Sequence, residues 1–239
     1  MSAVRSFAVN RRHTSREYED ELQQLRELVL LMGAKVEQLI KSSIDALLTR
    51  NTELAKKMIA ADREVNRLEL SIDELCLHIL ARRQPVASDL RLITITMKLV
   101  TDLERIGDLG VNISERVIEL NEEPPLKPYV DIPKMAEMAM GMVHDALDAF
   151  VAGDDSQAED IIARDETVDA YYHQIFRELL TYMMEDAKNI GRATRLQSIA
   201  KYLERVGDHA TNLAEMVIFA VKGKDPRHKG SRSGPATGE

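Results

Sequence analysis

One sentence of this chain is written twice. Leu103-Glu104-Arg105-Ile106-Gly107-Asp108 returns as Leu203-Glu204-Arg205-Val206-Gly207-Asp208, and the copies run on to Asn112 and Glu115 or to Asn212 and Glu215. Upstream the register is wider by three. Met58-Ile59-Ala60-x-Asp62-x-x-Val65-Asn66 maps onto Ile161-Ile162-Ala163-x-Asp165-x-x-Val168-Asp169, and Met32, Val36, Leu39, Ile40 and Leu47 map onto Met135, Ala139, Met142, Val143 and Phe150. A chain of 239 residues has length for one large domain or for two of about 100–120 residues. The doubled unit selects two.

Within the unit, apolar residues recur by fours and threes, the spacing of helices packed lengthwise on neighbours. Leu25, Val29, Met32, Val36 and Leu39 predict a first helix from about Ser15 to Leu48. Leu54, Met58, Val65, Leu68, Ile72, Leu75 and Ile79 predict a second, from Thr52 to just before Pro85. Leu99, Leu103, Ile106, Gly110, Ile113, Val117 and Leu120 predict a third, opening near Ser88 or Asp89 and ending at Leu120. Three prolines between Pro124 and Pro128 then forbid helix and predict an extended linker. With aromatics at 4% and no tryptophan, nothing favours sheet. The expected fold is all-α: two tandem, sequence-related three-helix bundles, six long helices with pseudo-two-fold symmetry. Their expected limits are a polar arm at 1–14, bundles at 15–121 and 132–222, the linker at 122–131, and a basic, disordered tail at 223–239 that reads as a solubilising end, with contact to anionic lipid or a partner as the alternative.

The acidic balance, 40 Asp plus Glu against 32 Lys plus Arg, argues against nucleic-acid binding, which needs a positive footprint. It suits cations or protein partners. No apolar run reaches the roughly 18 residues of a membrane span and no leader is visible, so a cytoplasmic protein is expected. The single cysteine, Cys76, lies among leucines and reads as core.

Two features of the repeat are costly. A mid-helix glycine loses about 1 kcal/mol against alanine, and carboxylates four apart on one helix repel. Glu104, Asp108 and Asn112 form such a stripe beside the apolar seam, and Asp62, Asn66, Glu69 and Asp73 form another on the preceding helix. The second copy has Glu204, Asp208, Asn212 and Glu215 facing Asp165 and Asp169. Acidic stripes are usually solvated faces, and Arg105–Asp108 or Arg205–Asp208 pairs would serve one. A solvated face has no use for Gly107 and Gly207, however, while close approach of a cluster does. A bound cation offsets both costs. Oxygen donors without cysteine or clustered histidine form a hard set, ranking magnesium, manganese, calcium or iron before zinc or copper. His209 projects away from the stripe and is not expected to ligate. Asn66 stands where the second copy has Asp169, which predicts weaker metal binding in the first half. No Glu-x-x-His, phosphate-binding glycine loop or nucleophile elbow is present, so no enzyme is expected. A carboxylate-bridged metalloenzyme and a metal-free helical adaptor are the alternative readings.

The doubled Leu-Glu-Arg-Ile/Val-Gly-Asp motif, the Arg83-Gln84-Pro85-Val86-Ala87-Ser88-Asp89-Leu90-Arg91 turn and Met184-Glu185-Asp186 resemble the PhoU family of phosphate-uptake regulators over residues 15–222. The resemblance implies a non-enzymatic cytoplasmic repressor of phosphate-starvation signalling that contacts the ATPase of a phosphate ABC transporter and a sensor histidine kinase. It implies multinuclear iron or zinc, or magnesium or manganese, on the bundle face, and frequent homodimers that meet the membrane only through partners. Those metal roles fall on Glu104, Asp108, Glu204, Asp208, Asp165 and Asp169, with Asp62 and Asn66 following; Asn112 and Asn212 complete the candidate ligand set.

Overall fold

The computed structural model describes residues 16–223. Helices α1 (Arg16–Thr49), α2 (Thr52–Arg83) and α3 (Ala87–Asn121) form the first bundle. α4 (Asp131–Ala152), α5 (Asp155–Glu185) and α6 (Ile190–Lys222) form the second, with a 3-10 turn at Ala187–Asn189 before α6. The described residues contain no strand. The arm and the tail from residue 224 fall outside them. Gly223, expected in the tail, instead closes α6: its φ is 68°, and its N–H donates to Phe219 O at 2.9 Å.

The turns are duplicated along with the helices. Asn51 caps α2 by accepting from the Leu54 N–H at 2.9 Å, and its repeat mate Asp154 caps α5 by accepting from Ser156 and Gln157. Each cap is worth about 1 kcal/mol. Just before them Arg50 and Gly153 both take the left-handed conformation, with φ of 54° and 64°. Arginine has no steric licence for it. Its guanidinium is turned thereby onto the Asn121 and Glu123 carbonyls, at 2.8 and 2.7 Å, and closes the end of α3.

Each bundle buries the fours-and-threes seam: Leu103, Ile106, Ile113 and Val117 in the first, Leu203, Val206, Leu213 and Val217 in the second, all fully buried. Full burial of one such side chain contributes about 1.5–3 kcal/mol. The two cores are continuous, because α3 packs on α6 and α1 on α4. Arg91 reaches the Ala220 carbonyl, Asp102 meets His209 and Arg195 meets Glu119, so α3 and α6 run antiparallel. Where α1 and α4 cross, Gly33 leaves room for Leu147; a Cβ there would stand 2.1 Å from Leu147 Cδ1.

Residues 122–130 are non-helical, as three prolines require, and they are tied to the bundles along their length. Lys127 is buried with its ammonium on the Glu178 carboxylate, Tyr129 packs on the core, and the Pro124 carbonyl accepts from Arg192 at 3.0 Å. Pro133 sits in the first turn of α4, where its missing N–H leaves no helical bond unmade. Cys76 is buried, and desolvation pushes its thiol up to about 12.

Candidate functional site

In each half the repeated glycine admits a carboxylate between two helices. A Cβ on Gly107 of α3 would stand 3.2 Å from Asp62 Oδ1 and 3.3 Å from Val65 Cγ1 of α2. On Gly207 of α6 it would stand 2.9 Å from Asp165 Oδ1 and 3.3 Å from Val168 Cγ1 of α5. The glycines are therefore seats for Asp62 and Asp165, and the valines beside them hold the helix spacing. This is the close approach that the duplicated glycines imply.

Around each seat the acids repel one another. Asp62 has its pKa raised by desolvation and then by Asp108, while the Asn66 amide donates to its Oδ2 at 3.0 Å and pulls the other way. Desolvation and Asp108 raise Glu104, and desolvation, Asp73 and Asp108 raise Glu69. In the second half, burial followed by Asp208, Asp169 and Glu204 pushes Asp165 up to about 6. Asp62 Oδ1, Asn66 Oδ1 and Glu204 Oε2 are buried oxygens without a hydrogen-bond partner. Such atoms cost about 1–3 kcal/mol each when left so.

The halves part company around this shared frame. Arg105 lies 3.6 Å from both Glu104 and Asp108, and its side chain is 58% exposed; an ion pair of that kind contributes little. Arg205 makes no comparable pair among the described residues. Instead Lys201, the mate of Thr101, pairs with Glu204 and stands 5.3 Å from the centre of the Tyr172 ring. Tyr172 and Phe176, stacked at 6.5 Å, replace Glu69 and Asp73.

Oxygen donors with raised proton affinity, orphaned buried oxygens and a glycine seat fit a hard cation in kind. Asp62, Asn66, Glu104 and Asp108, joined by Glu69, would supply the donors in the first half; Asp165, Asp169, Glu204 and Asp208 would supply them in the second. As the side chains stand, no three His, Cys, Asp or Glu residues among those described are gathered to hold one ion. Closing a coordination sphere requires rotamer changes, which a cation would drive by removing the repulsion just described.

Of the two distal asparagines, Asn212 turns away from its cluster. The Asn212 amide points to Asp102 at 3.5 Å, at the α3–α6 seam, where Asp102 also meets His209 Nδ1 at 2.6 Å. Asn112 is half-buried and no hydrogen bond ties it to the acids among the described residues. Glu215 lines a cavity of about 260 Å³ at that seam with Lys98, Asp102 and Phe219, away from Asp165. Asn212 and Glu215 repeat residues of the first half, but continued steps along α6 drift off the α5-facing stripe and onto the partner bundle. His209 bridges the bundles, as does His144 with Glu37 at 3.1 Å.

A duplicated three-helix bundle with an acid cluster seated on a helical glycine in each half defines a class of tandem helical-bundle protein. A family model described as the PhoU domain matches residues 29–117 and 132–217, one match per bundle. The chain belongs to the PhoU family. It is 43% identical over 219 residues to the phosphate-specific transport system accessory protein PhoU homolog of Pseudomonas putida, covering 91% of this chain and 86% of that one. With the accessory protein PhoU of Escherichia coli it shares 38% over 219 residues, 92% of this chain and 91% of the relative. The crystal structure of PhoU from Pseudomonas aeruginosa superposes with a TM-score of 0.82 at 42% identity, over 87% of this chain and 100% of that one. The phosphate transport system regulatory protein PhoU from Streptococcus pneumoniae gives 0.80 at 29%, over 87% and 98%. These names are those of accessory and regulatory proteins, and the family is not one of enzymes.

Proposed function

We propose that this chain is a cytoplasmic negative regulator of phosphate uptake and phosphate-starvation signalling, working by metal-organised docking onto the ATPase of a phosphate ABC transporter and onto a sensor histidine kinase. The names of its relatives tie the family to phosphate transport. Among the described residues no helix is long and apolar enough to cross a membrane, which agrees with contact to the membrane only through partners.

The observation that carries the metal part is the glycine-seated carboxylate, present once per bundle at corresponding places. Each cluster holds acids at a shared groove, in α2–α3 and in α5–α6, where their mutual repulsion opposes helix packing. A divalent or trivalent ion, whether iron, manganese, magnesium or zinc, neutralises the groove and fixes the helix spacing, so the docking face takes its shape only when loaded. The apolar seam that borders each stripe holds the bundle regardless of metal. A homodimer would present two such faces to the transporter.

Alanine at Glu104, Asp108, Glu204 and Asp208 is expected to abolish pull-down of the transporter ATPase while leaving the helical content unchanged. Undiminished capture would refute metal-organised docking. A metal-free adaptor is favoured by one observation, the open arrangement of the acids. Elemental analysis of protein purified without an affinity tag decides between the two.

A further inference from the structure

The two clusters descend from one unit but differ in charge, and we infer that Lys201 is a resident counter-ion of the second, so that the first cluster takes up a divalent cation before the second. The inference rests on the reading of both clusters as cation sites. It reverses the order that Asn66 alone implies.

Lys201 places its ammonium on Glu204, whose side chain is only 14% exposed, and braces itself against the Tyr172 ring. Lys201 and Tyr172 belong to the second half alone. The mate of Lys201 is Thr101, whose hydroxyl donates to the Met97 carbonyl of its own helix at 3.1 Å. The mate of Tyr172 is Glu69, and that of Phe176 is Asp73. The first half thus sets Asp62, Glu69, Glu104 and Asp108 near one exposed arginine, with Asp73 beside Glu69, and Asn66 removes a charge that the second half keeps at Asp169. The second gathers Asp165, Asp169, Glu204 and Asp208, with a lysine already in place and aromatic rings where the other has carboxylates.

A cation entering the second cluster must displace Lys201 from both Glu204 and Tyr172. At the first it displaces water and a guanidinium standing 3.6 Å off on a freely exposed stem. Lys201 is itself 48% exposed, so what sets it apart from Arg105 is direct contact with its carboxylate and with an aromatic ring, where Arg105 stands 3.6 Å off. Lys201 therefore sets the difference between the two affinities, and the second site fills only at higher cation concentration.

Titration of the full chain with Mn2+, followed through the electron paramagnetic resonance of the free ion, tests this. Asp108→Asn isolates the second site and Asp208→Asn the first, and the isolated first site is expected to bind the more tightly. Adding Lys201→Met to the Asp108→Asn chain removes the charge but keeps the stem over Tyr172, and is expected to tighten the second site about tenfold. Lys201→Arg keeps the charge and is expected to behave as the parent. If Asp108→Asn and Asp208→Asn each remove one site but Lys201→Met shifts the remaining affinity by less than about twofold, the Lys201 inference fails alone. If the double Asp108→Asn/Asp208→Asn chain binds Mn2+ as the parent does, or the parent and Lys201→Met chains both bind none, the cation reading of the clusters fails and takes the inference with it.

Discussion

Replacing Asp165 by asparagine is expected to stabilise the metal-free protein at neutral pH, although Asp165 is a candidate ligand. Its carboxyl rises from 3.8 to about 6 because it is desolvated between α5 and α6 and faces Asp208, Asp169 and Glu204. Lys201 of the same half is spent on Glu204. The gap between those two values corresponds to about 3 kcal/mol at full strength, and partial exposure to water reduces this to about 1–2 kcal/mol. Between about pH 4 and 6 the folded chain keeps a proton on Asp165 that the unfolded chain has released, so stability falls as pH rises through that window and stays lower above it. Asparagine keeps the shape and the seat on Gly207 without the charge. In chelator at pH 8, Asp165→Asn should therefore melt about 2–8 °C above the parent, taking about 2–4 °C per kcal/mol for a chain of this size. The gain should vanish near pH 3.5. Urea unfolding at a series of pH values gives the same comparison isothermally. An asparagine variant no more stable than the parent at pH 8, or equally favoured at pH 3.5 and pH 8, would refute the electrostatic account of the cluster.

Alanine at Gly207 adds about 1 kcal/mol of helix propensity but drives Asp165 from its seat, so calorimetry without metal should show unchanged or higher stability while Mn2+ binding at that site is lost. Gly110→Ala is of the opposite kind: its Cβ would meet Leu39 Cδ2 at 2.0 Å in the α1–α3 core, and a loss of about 1–3 kcal/mol in chemical denaturation is expected. Glu178→Ala strands the buried Lys127 ammonium and should cost about 2–3 kcal/mol, whereas Lys127→Met should be nearly neutral in the same measurement. Arg83 holds Glu21 at 2.8 Å and keeps that carboxyl below its usual range. The contribution of this pair is present above the unfolded glutamate value and lost as pH falls through the folded one, so Arg83→Ala should flatten the acid limb of the stability profile.

Helices and turns were readable because each carries local, redundant signals. The fours-and-threes of Leu25 to Leu39 place α1 within one residue at either end, and Pro85 stops α2 through the left-handed Gln84. The clusters were readable through repetition, which singled out Gly107 and Gly207 before any neighbour was known. That same filter hid what distinguishes the halves. Lys201, Tyr172 and Phe176 are unrepeated, so nothing drew attention to them, although comparison of Thr101 with Lys201 and of Glu69 with Tyr172 would have done so. The α3–α6 and α1–α4 seams were illegible for another reason. A helix in a doubled bundle buries two faces, and spacing along one helix cannot say which residues at the edge of a stripe meet the partner bundle; Asn212 went to Asp102 on that account, and His209 with it.

The antiparallel seams also bear on how news from one half reaches the other. Because α1 lies on α4 and α3 on α6 along a continuous core, the segment around Pro124–Pro128 cannot serve as an elbow about which the halves swing apart. Coupling between the grooves would have to run through these seams, as small slides of packed helices. A nick in that segment should leave the two pieces clasped, which makes the molecule a candidate for assembly from separately expressed fragments.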